Sequence, residues 1–304
     1  MDQELLNSSR YRISAVSVDS RFADNLYKGT ADYMIKMPST YRNIMRIALS
    51  SVELPLVEYT FSEDHGNLNF TVTYNGLEYP LTIPAGNYSP SELCALIQTA
   101  LRTIPDDFSV SFTCTYNPNT GRVTIANPDY HAIDPSEPPS YFTAINLVSS
   151  NSIIAARRSH WGLGYYLGFK KGTLTTTNTG ETLQIVGDCV AQTGPTPYYL
   201  LQVECPDMIE NITHRVDRNA SVPALAKLIL RNGYYAVQFD DGSNLLRKEY
   251  TFLTPVNIAQ IRLRLVDPFG QVVDMCGVDW SATFELYEVV NSRTYNAIGH
   301  IYDR

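Results

Sequence analysis

The sequence predicts a mainly β protein: an antiparallel β-sandwich of the jelly-roll type that carries an inserted ββαββ module. Three observations lead there. Apolar and polar residues alternate with period two over many short stretches, as in half-buried strands. Tyr occurs 21 times and Pro and Gly 17 times each in 304 residues, a usage that favours strands joined by turns over helices. The best helix signals in the chain sit in its middle, between two pairs of strands.

Taken in order, strands are expected near 11–18, at 33–37, where Tyr33, Ile35 and Met37 share a face, and near 44–54. The middle opens with Phe70, Val72 and Tyr74 alternating with polar residues. Asn75-Gly76 then signals a two-residue hairpin, and Leu77, Tyr79, Leu81 and Ile83 alternate on the return. Ser89 reads as an N-cap, with Pro90 as the first helical residue and Glu92 closing a capping box. Leu93, Leu96, Ile97, Ala100 and Leu101 form one apolar stripe behind it. Val110, Phe112, Cys114 and Tyr116 alternate next, and Asn117-Pro118-Asn119-Thr120-Gly121 turns the chain into Val123 and Ile125. A Pro- and Tyr-rich tail follows, which reads as a long contact loop. Further strands are expected near 182–191, 198–204 and 225–230. Ile261, Leu263 and Leu265 face one way there, with Arg262 and Arg264 facing the other. From Trp280, the residues Trp280, Ala282, Phe284 and Leu286 face one side. About eight strands outside the middle are enough for a jelly roll. Residues 1–57 and 171–304 are therefore expected to form one discontinuous jelly-roll domain, with 58–170 inserted as an α+β module with an irregular tail. Insertion requires the module's ends to lie close together. Leu96 is expected in the module's core, and Trp280 and Phe284 in that of the sandwich.

Composition narrows the function. Hydrophobic residues make up 44% and mean hydropathy is -0.15, so a packed core is expected rather than disorder. The net charge of -8 divides as +1 for 1–57, -5 for 58–170 and -4 for 171–304, so no segment carries the basic footprint of a nucleic-acid binder. Cys94, Cys114, Cys189, Cys205 and Cys276 are odd in number and include no C-x-x-C pair, which points to free, unmetallated thiols. MDQELLNSSRYR lacks the apolar core of a signal peptide, and no apolar run is long enough to span a membrane.

Chemistry-bearing motifs are weak. There is no G-x-S-x-G elbow, and His65, His131, His160, His214 and His300 fall in loop-like or terminal contexts, as surface histidines do. Asp267, Asp274, Cys276 and Asp279 cluster in sequence around Pro268 and Gly270, where carboxylates commonly bond turn backbone; their spacing does not match a calcium loop. Gly162 to Gly168 is glycine-rich but departs from the phosphate-binding pattern, with a strand-like Tyr-Tyr-Leu where a helix is needed. Arg157-Arg158-Ser159-His160-Trp161 interleaves bases and aromatics over too short a span to mark a nucleic-acid site. It reads first as an exposed loop, with a protein contact and an RNA or DNA contact as equal alternatives behind that.

The stretch IRLRLVDPFGQVVDMCGVDWSATFELYEV resembles the closing hairpin of minor capsid and penton-like proteins of large nucleocytoplasmic icosahedral DNA viruses. FADNLYKGTADYMIKMPSTYRNIMRIALSSVELP, with P-x-x-Y-R-N and S-V-E-L-P, is similar to the opening of the same family. IPAGNYSPSELCALIQTAL, FTCTYNPNTGRVTI and YYLGF resemble an insert module recurring in it. The resemblance covers most of the chain. It implies a jelly-roll scaffold, assembly in the host-cell cytoplasm and a place in the virion shell. It implies as partners the major capsid protein and other minor capsid proteins, with self-association open. It implies no catalytic residue and no cofactor, and neither nucleic acid nor membrane is expected as a partner. The contact residues expected are Pro138, Tyr141, Arg157, Arg158 and Trp161. A carbohydrate- or receptor-binding sandwich of a spike or fibre is the alternative, because Tyr-rich loops suit sugar stacking as well as protein interfaces.

Overall fold

A computed structural model of the chain describes residues 11–105, 111–128, 134–136, 142–147, 162–170, 173–205, 214–217, 220–222, 224–240, 248–268 and 270–290. The protein is mainly β, its sheets are antiparallel, and the chain divides into two compact units, 1–58 with 196–304 and 59–195.

The first unit opens with β1 (Tyr11–Asp19), the two-residue β2 (Asn25–Leu26) and the 24-residue β3 (Asp32–Pro55). The second unit follows with β4 (Asn69–Tyr74), β5 (Leu77–Thr82), helix α1 (Pro90–Leu101), β6 (Thr113–Asn117), β7 (Arg122–Pro128), β8 (Phe142–Asn146), the one-turn helix α2 (Leu163–Tyr166), β9 (Thr173–Thr175), β10 (Thr177–Asn178) and β11 (Thr182–Val186). The chain then returns through β12 (Tyr198–Glu204), the β13–β14 hairpin (His214–Asp217 with Ala220–Val222), β15 (Ala226–Ile229), β16 (Val237–Asp240), the 18-residue β17 (Glu249–Val266) and β18 (Ser281–Val289).

One eight-stranded sheet carries the first unit. Its main path runs β1-β18-β3-β17-β12-β15, and β2 and β16 also pair with β3. β3 and β17 each contribute twice. Thr251 and Glu249 of β17 pair with Arg46 and Ala48 in the later part of β3, whereas Ile261 and Leu263 pair with Ile35 and Tyr33 in its earlier part. Three register shifts lie between these stretches, and Asn43 sits among them with φ +54, its N–H donated to Asn257 Oδ1 at 3.2 Å. Asn tolerates this left-handed conformation better than other residues with a Cβ, which gives P-x-x-Y-R-N a physical meaning as a sheet corner. The curled sheet closes on one core that takes Val16 and Val18 from β1, Phe284 and Leu286 from β18, Leu263 and Leu265 from β17, and Leu201 from β12.

The D-W-S segment locks that core. Trp280 is buried, its indole Nε1–H donates to Thr30 O at 2.7 Å, and its ring meets Tyr33 edge-on at 5.6 Å. Ser20 N–H donates to Trp280 O at 3.1 Å and the Trp280 N–H to Ser20 Oγ at 3.2 Å, while Ser20 Oγ–H donates to Asp279 Oδ1 at 2.6 Å. These bonds tie the end of β1 to the start of β18. Phe284 is fully buried four residues after Trp280.

The second unit contains two four-stranded sheets, ordered β5-β4-β8-β9 and β10-β11-β7-β6. The two expected hairpins therefore belong to different sheets, each completed by later strands. The expected boundary after residue 170 differs from the observed one. β9 bonds β8 and β11 bonds β7, so the strand expected near 182–191 in the outer sandwich completes a sheet of the insert, which runs on to Pro195. Asn75 and Gly76 both have positive φ, 49° and 75°, as a tight hairpin turn between β4 and β5 requires. Helix α1 begins with the expected capping box: Glu92 N–H donates to Ser89 Oγ at 3.3 Å and Ser89 N–H to Glu92 Oε2 at 2.8 Å. Leu93, Ile97 and Leu101 are buried, whereas Leu96 is half-buried on the flank of the same core. Phe112, just before β6, packs edge-on against Tyr74 and Phe142 of the other sheet at 5.5 and 5.1 Å.

Trp280→Ala should cost about 3–5 kcal/mol in a urea melt, the range for a buried large aromatic. A loss near zero with a water-exposed indole emission contradicts this packing. Ser89→Ala should cost about 1 kcal/mol through the lost cap. The Glu92 carboxyl is held below the ordinary range by the Ser89 N–H and hydroxyl. Its folded-state pKa is depressed, so its contribution is complete above the unfolded value and is lost as pH falls through the folded one. The stability gap between wild type and Glu92→Gln should therefore narrow on acidification.

Candidate assembly surface

The expected contact residues Pro138, Tyr141, Arg157, Arg158 and Trp161 all lie outside the described residues. His131, His160 and His300 do so as well. His65 has its ring Nδ1 3.1 Å from Thr60 O.

The turn and glycine motifs serve local structure. Asp267 accepts the Gln271 N–H at 2.8 Å on Oδ1, Asp274 accepts the Cys276 N–H at 2.8 Å, and Asp279 accepts from Ser20. Each carboxylate thus ties down nearby chain, and no group of three or more potential metal ligands occurs among the described residues. Leu163–Tyr166 forms a single helical turn where strand-like residues were expected. Gly168 follows at φ +84; a Cβ there would lie 2.4 Å from Cys189 O, so close backbone packing requires glycine. No helix among the described residues is long and apolar enough to cross a membrane.

What the first unit offers is an open sheet edge. An edge strand exposes unpaired N–H and C=O groups and is a template for another chain unless it is short, charged, or interrupted by Pro or a bulge. β15 has four residues including Lys227, β2 has two and β16 has four. In the second unit β5 carries Pro80, β9 and β10 have three and two residues, and β6 lies beside α1. β1 differs from all of these. Its nine residues pair with β18 in unbroken register from Tyr11↔Val289 to Asp19↔Ser281, with no bulge or Pro, and its charged residues, Arg12 and Asp19, lie near its two ends. Among the described residues no strand pairs with its other edge. Val16 and Val18 point into the core, while Ile13 (56% exposed), Ala15 and Ser17 face outward.

The outer face beside this edge is aromatic and cationic. Tyr287 stands opposite Ile13; its ring meets Tyr11 edge-on at 6.4 Å and carries the Arg46 guanidinium at 3.6 Å. Arg46 in turn pairs with Glu249 at 3.3 Å, and Tyr287 Oη–H donates to Glu285 at 2.7 Å. Tyr and Arg held rigid beside an exposed aliphatic residue are typical of protein interfaces.

A second outer-face cluster crosses β3, β17 and β12. Asp32 is buried and accepts from Arg262 Nε and Nη2 at 2.8 and 2.9 Å. Arg264 lies 3.3 Å from both Asp32 and Glu204, and Arg262 stacks on Tyr27 at 4.3 Å. The Asp32 hydrogen bonds raise the Arg262 pKa. Phe22 (73%), Leu26 (56%) and Tyr27 (51%) are exposed around β2.

No protein-family model and no curated protein matches the chain. Among solved structures it is similar to a mavirus penton protein, crystallised in selenomethionine form. The identity is 9% and the TM-score 0.48, over 92% of this chain and all of that one. A likeness at this score and identity fixes neither fold nor function.

Sequence reasoning placed Arg262 and Arg264 on the face away from the core but missed Ile13 and Tyr27 as exposed surface residues, and Tyr287 as the buried ring beneath Arg46. Alternation assigns a residue to a face. It carries no signal for which strand ends up at an edge.

Asp32→Ala should destabilise the first unit by about 1–2 kcal/mol, the low end for charge-assisted bonds, because both guanidiniums are more than a quarter exposed. The loss should shrink in high salt. Unchanged urea stability at low ionic strength contradicts it.

Proposed function

We propose that the chain is a structural capsid protein of an icosahedral virus, specifically a minor capsid protein that joins or braces capsomers in the shell. The observation that carries this reading is β1, a nine-residue edge strand with an exposed Ile13 and a fixed Tyr287–Arg46 pair beside it. The order of capsid-like motifs along the sequence supports it as well. In this reading β1 adds a strand or a docked loop from a neighbouring capsid protein, so that main-chain bonds supply affinity and the outward side chains supply selectivity. Many such modest contacts add through multivalency in a closed shell. The partners are the major capsid protein and other minor capsid proteins, and assembly takes place in the host-cell cytoplasm.

The chain should therefore be found in gradient-purified, protease-washed particles. A double Ile13→Lys, Ala15→Lys variant changes only outward positions, so it should fold as the wild type does while its particle content falls at least about tenfold, since inward or edge charges block strand addition. Absence of the wild-type chain from particles overturns the capsid reading. Normal incorporation of the double variant overturns the role of β1.

A further inference from the structure

Cys94 on α1 and Cys114 on β6 are both buried in the core of the second unit, at 2% and 5% exposure. Helix and strand pack directly on one another. Gln98, one turn beyond Cys94 and so on the same helix face, accepts the Cys114 N–H through Oε1 at 3.0 Å. The interaction between the two side chains lowers the Cys94 pKa and, with burial, raises that of Cys114. None of the five cysteines is in a disulfide.

We propose that Cys94 and Cys114 are a disulfide-forming pair, a redox-sensitive staple that fastens α1 to β6 when the protein meets a small-molecule disulfide oxidant. Cys94 loses its proton and attacks one sulfur of the oxidant, releasing one small thiolate and leaving a mixed disulfide. Cys114 then loses its proton and attacks the Cys94 sulfur, releasing the second small thiolate. The released thiolates take up the two protons. In balance, two protein thiols give up two electrons and two protons, and one small disulfide becomes two small thiols. Closing the loop between α1 and β6 restricts the unfolded chain, so the oxidised unit should be the more stable one. This inference is independent of the capsid reading, because it concerns only the second unit's interior.

The test treats the full chain with oxidised glutathione, both in native buffer and in urea below the unfolding transition, where local opening admits the reagent. After alkylation in denaturant, peptide mass spectrometry should find Cys94 linked to Cys114, two hydrogens lighter and unalkylated. Dithiothreitol should reverse the link. Exposed Cys189 and Cys276 should take up glutathione and so report that the oxidant acted. The unfolding midpoint should rise on oxidation in the wild type and not in Cys94→Ser or Cys114→Ser. A link formed in either condition supports the proposal. Recovery of Cys94 and Cys114 unlinked in both, with Cys189 and Cys276 modified, overturns it.

Discussion

A strand that serves two stretches of a curled sheet has to change direction without abandoning its backbone bonds, and an uninterrupted ladder does not bend sharply enough to do so. β3 and β17 meet this constraint together. Their ladders run cleanly on either side of Asn43, and between them lie three register shifts on β17 and one left-handed residue on β3. Everything else in the first unit hangs on this corner. β18 and β1 add to the later part of β3, while β12 and β15 add to the later part of β17. The common core forms because the corner turns Leu263 and Phe284 toward one interior. The Asn257 side chain, bonded to the Asn43 N–H, supplies the satisfaction that the interrupted ladder cannot.

The same strand shows a second adjustment. Met45, Ile47 and Leu49 are buried in alternation, then the phase changes and Val52, Leu54 and Leu56 are buried. The change falls at Ser50, where the pairing jumps from Leu49↔Phe284 to Ser51↔Thr283. One extra residue on β3 keeps apolar side chains inward on both sides of a bulge. Without it, half of this strand would present its apolar residues to water.

Much of this was legible beforehand, and the reasons differ by element. The Asn75-Gly76 turn, the Ser89–Glu92 cap and the faces of Phe284 and Leu263 follow from local chemistry, so a reader of the sequence can place them. Strand partnership is non-local. Thr182–Val186 reads equally well as an edge of the outer sandwich or of the insert, and only its bonds to β7 decide between them. Leu96 lies on the predicted stripe yet is half-buried, because the stripe is wider than the surface that covers it. The candidate assembly surface was the least legible part. Ile13 carries the same alternation signal as any strand residue, and its importance comes from β1 having, among the described residues, a partner on one side.

β1 differs from the edges of the insert's sheets, and that contrast bears on where another chain can bind. Pro80 removes a donor from β5, and two- and three-residue strands bound the other end of each insert sheet. These devices discourage strand addition. β1 is neither short nor interrupted by Pro, and its charges, Arg12 and Asp19, leave the stretch between them uncharged. Its backbone edge is nine residues long, at the upper end of strand lengths in globular proteins, and is continuous with a rigid aromatic-cationic face. An edge of that length is a hazard to a free monomer, since any exposed strand can pair with it. In the capsid reading proposed above, a neighbouring chain covers the edge and the hazard disappears with the free surface.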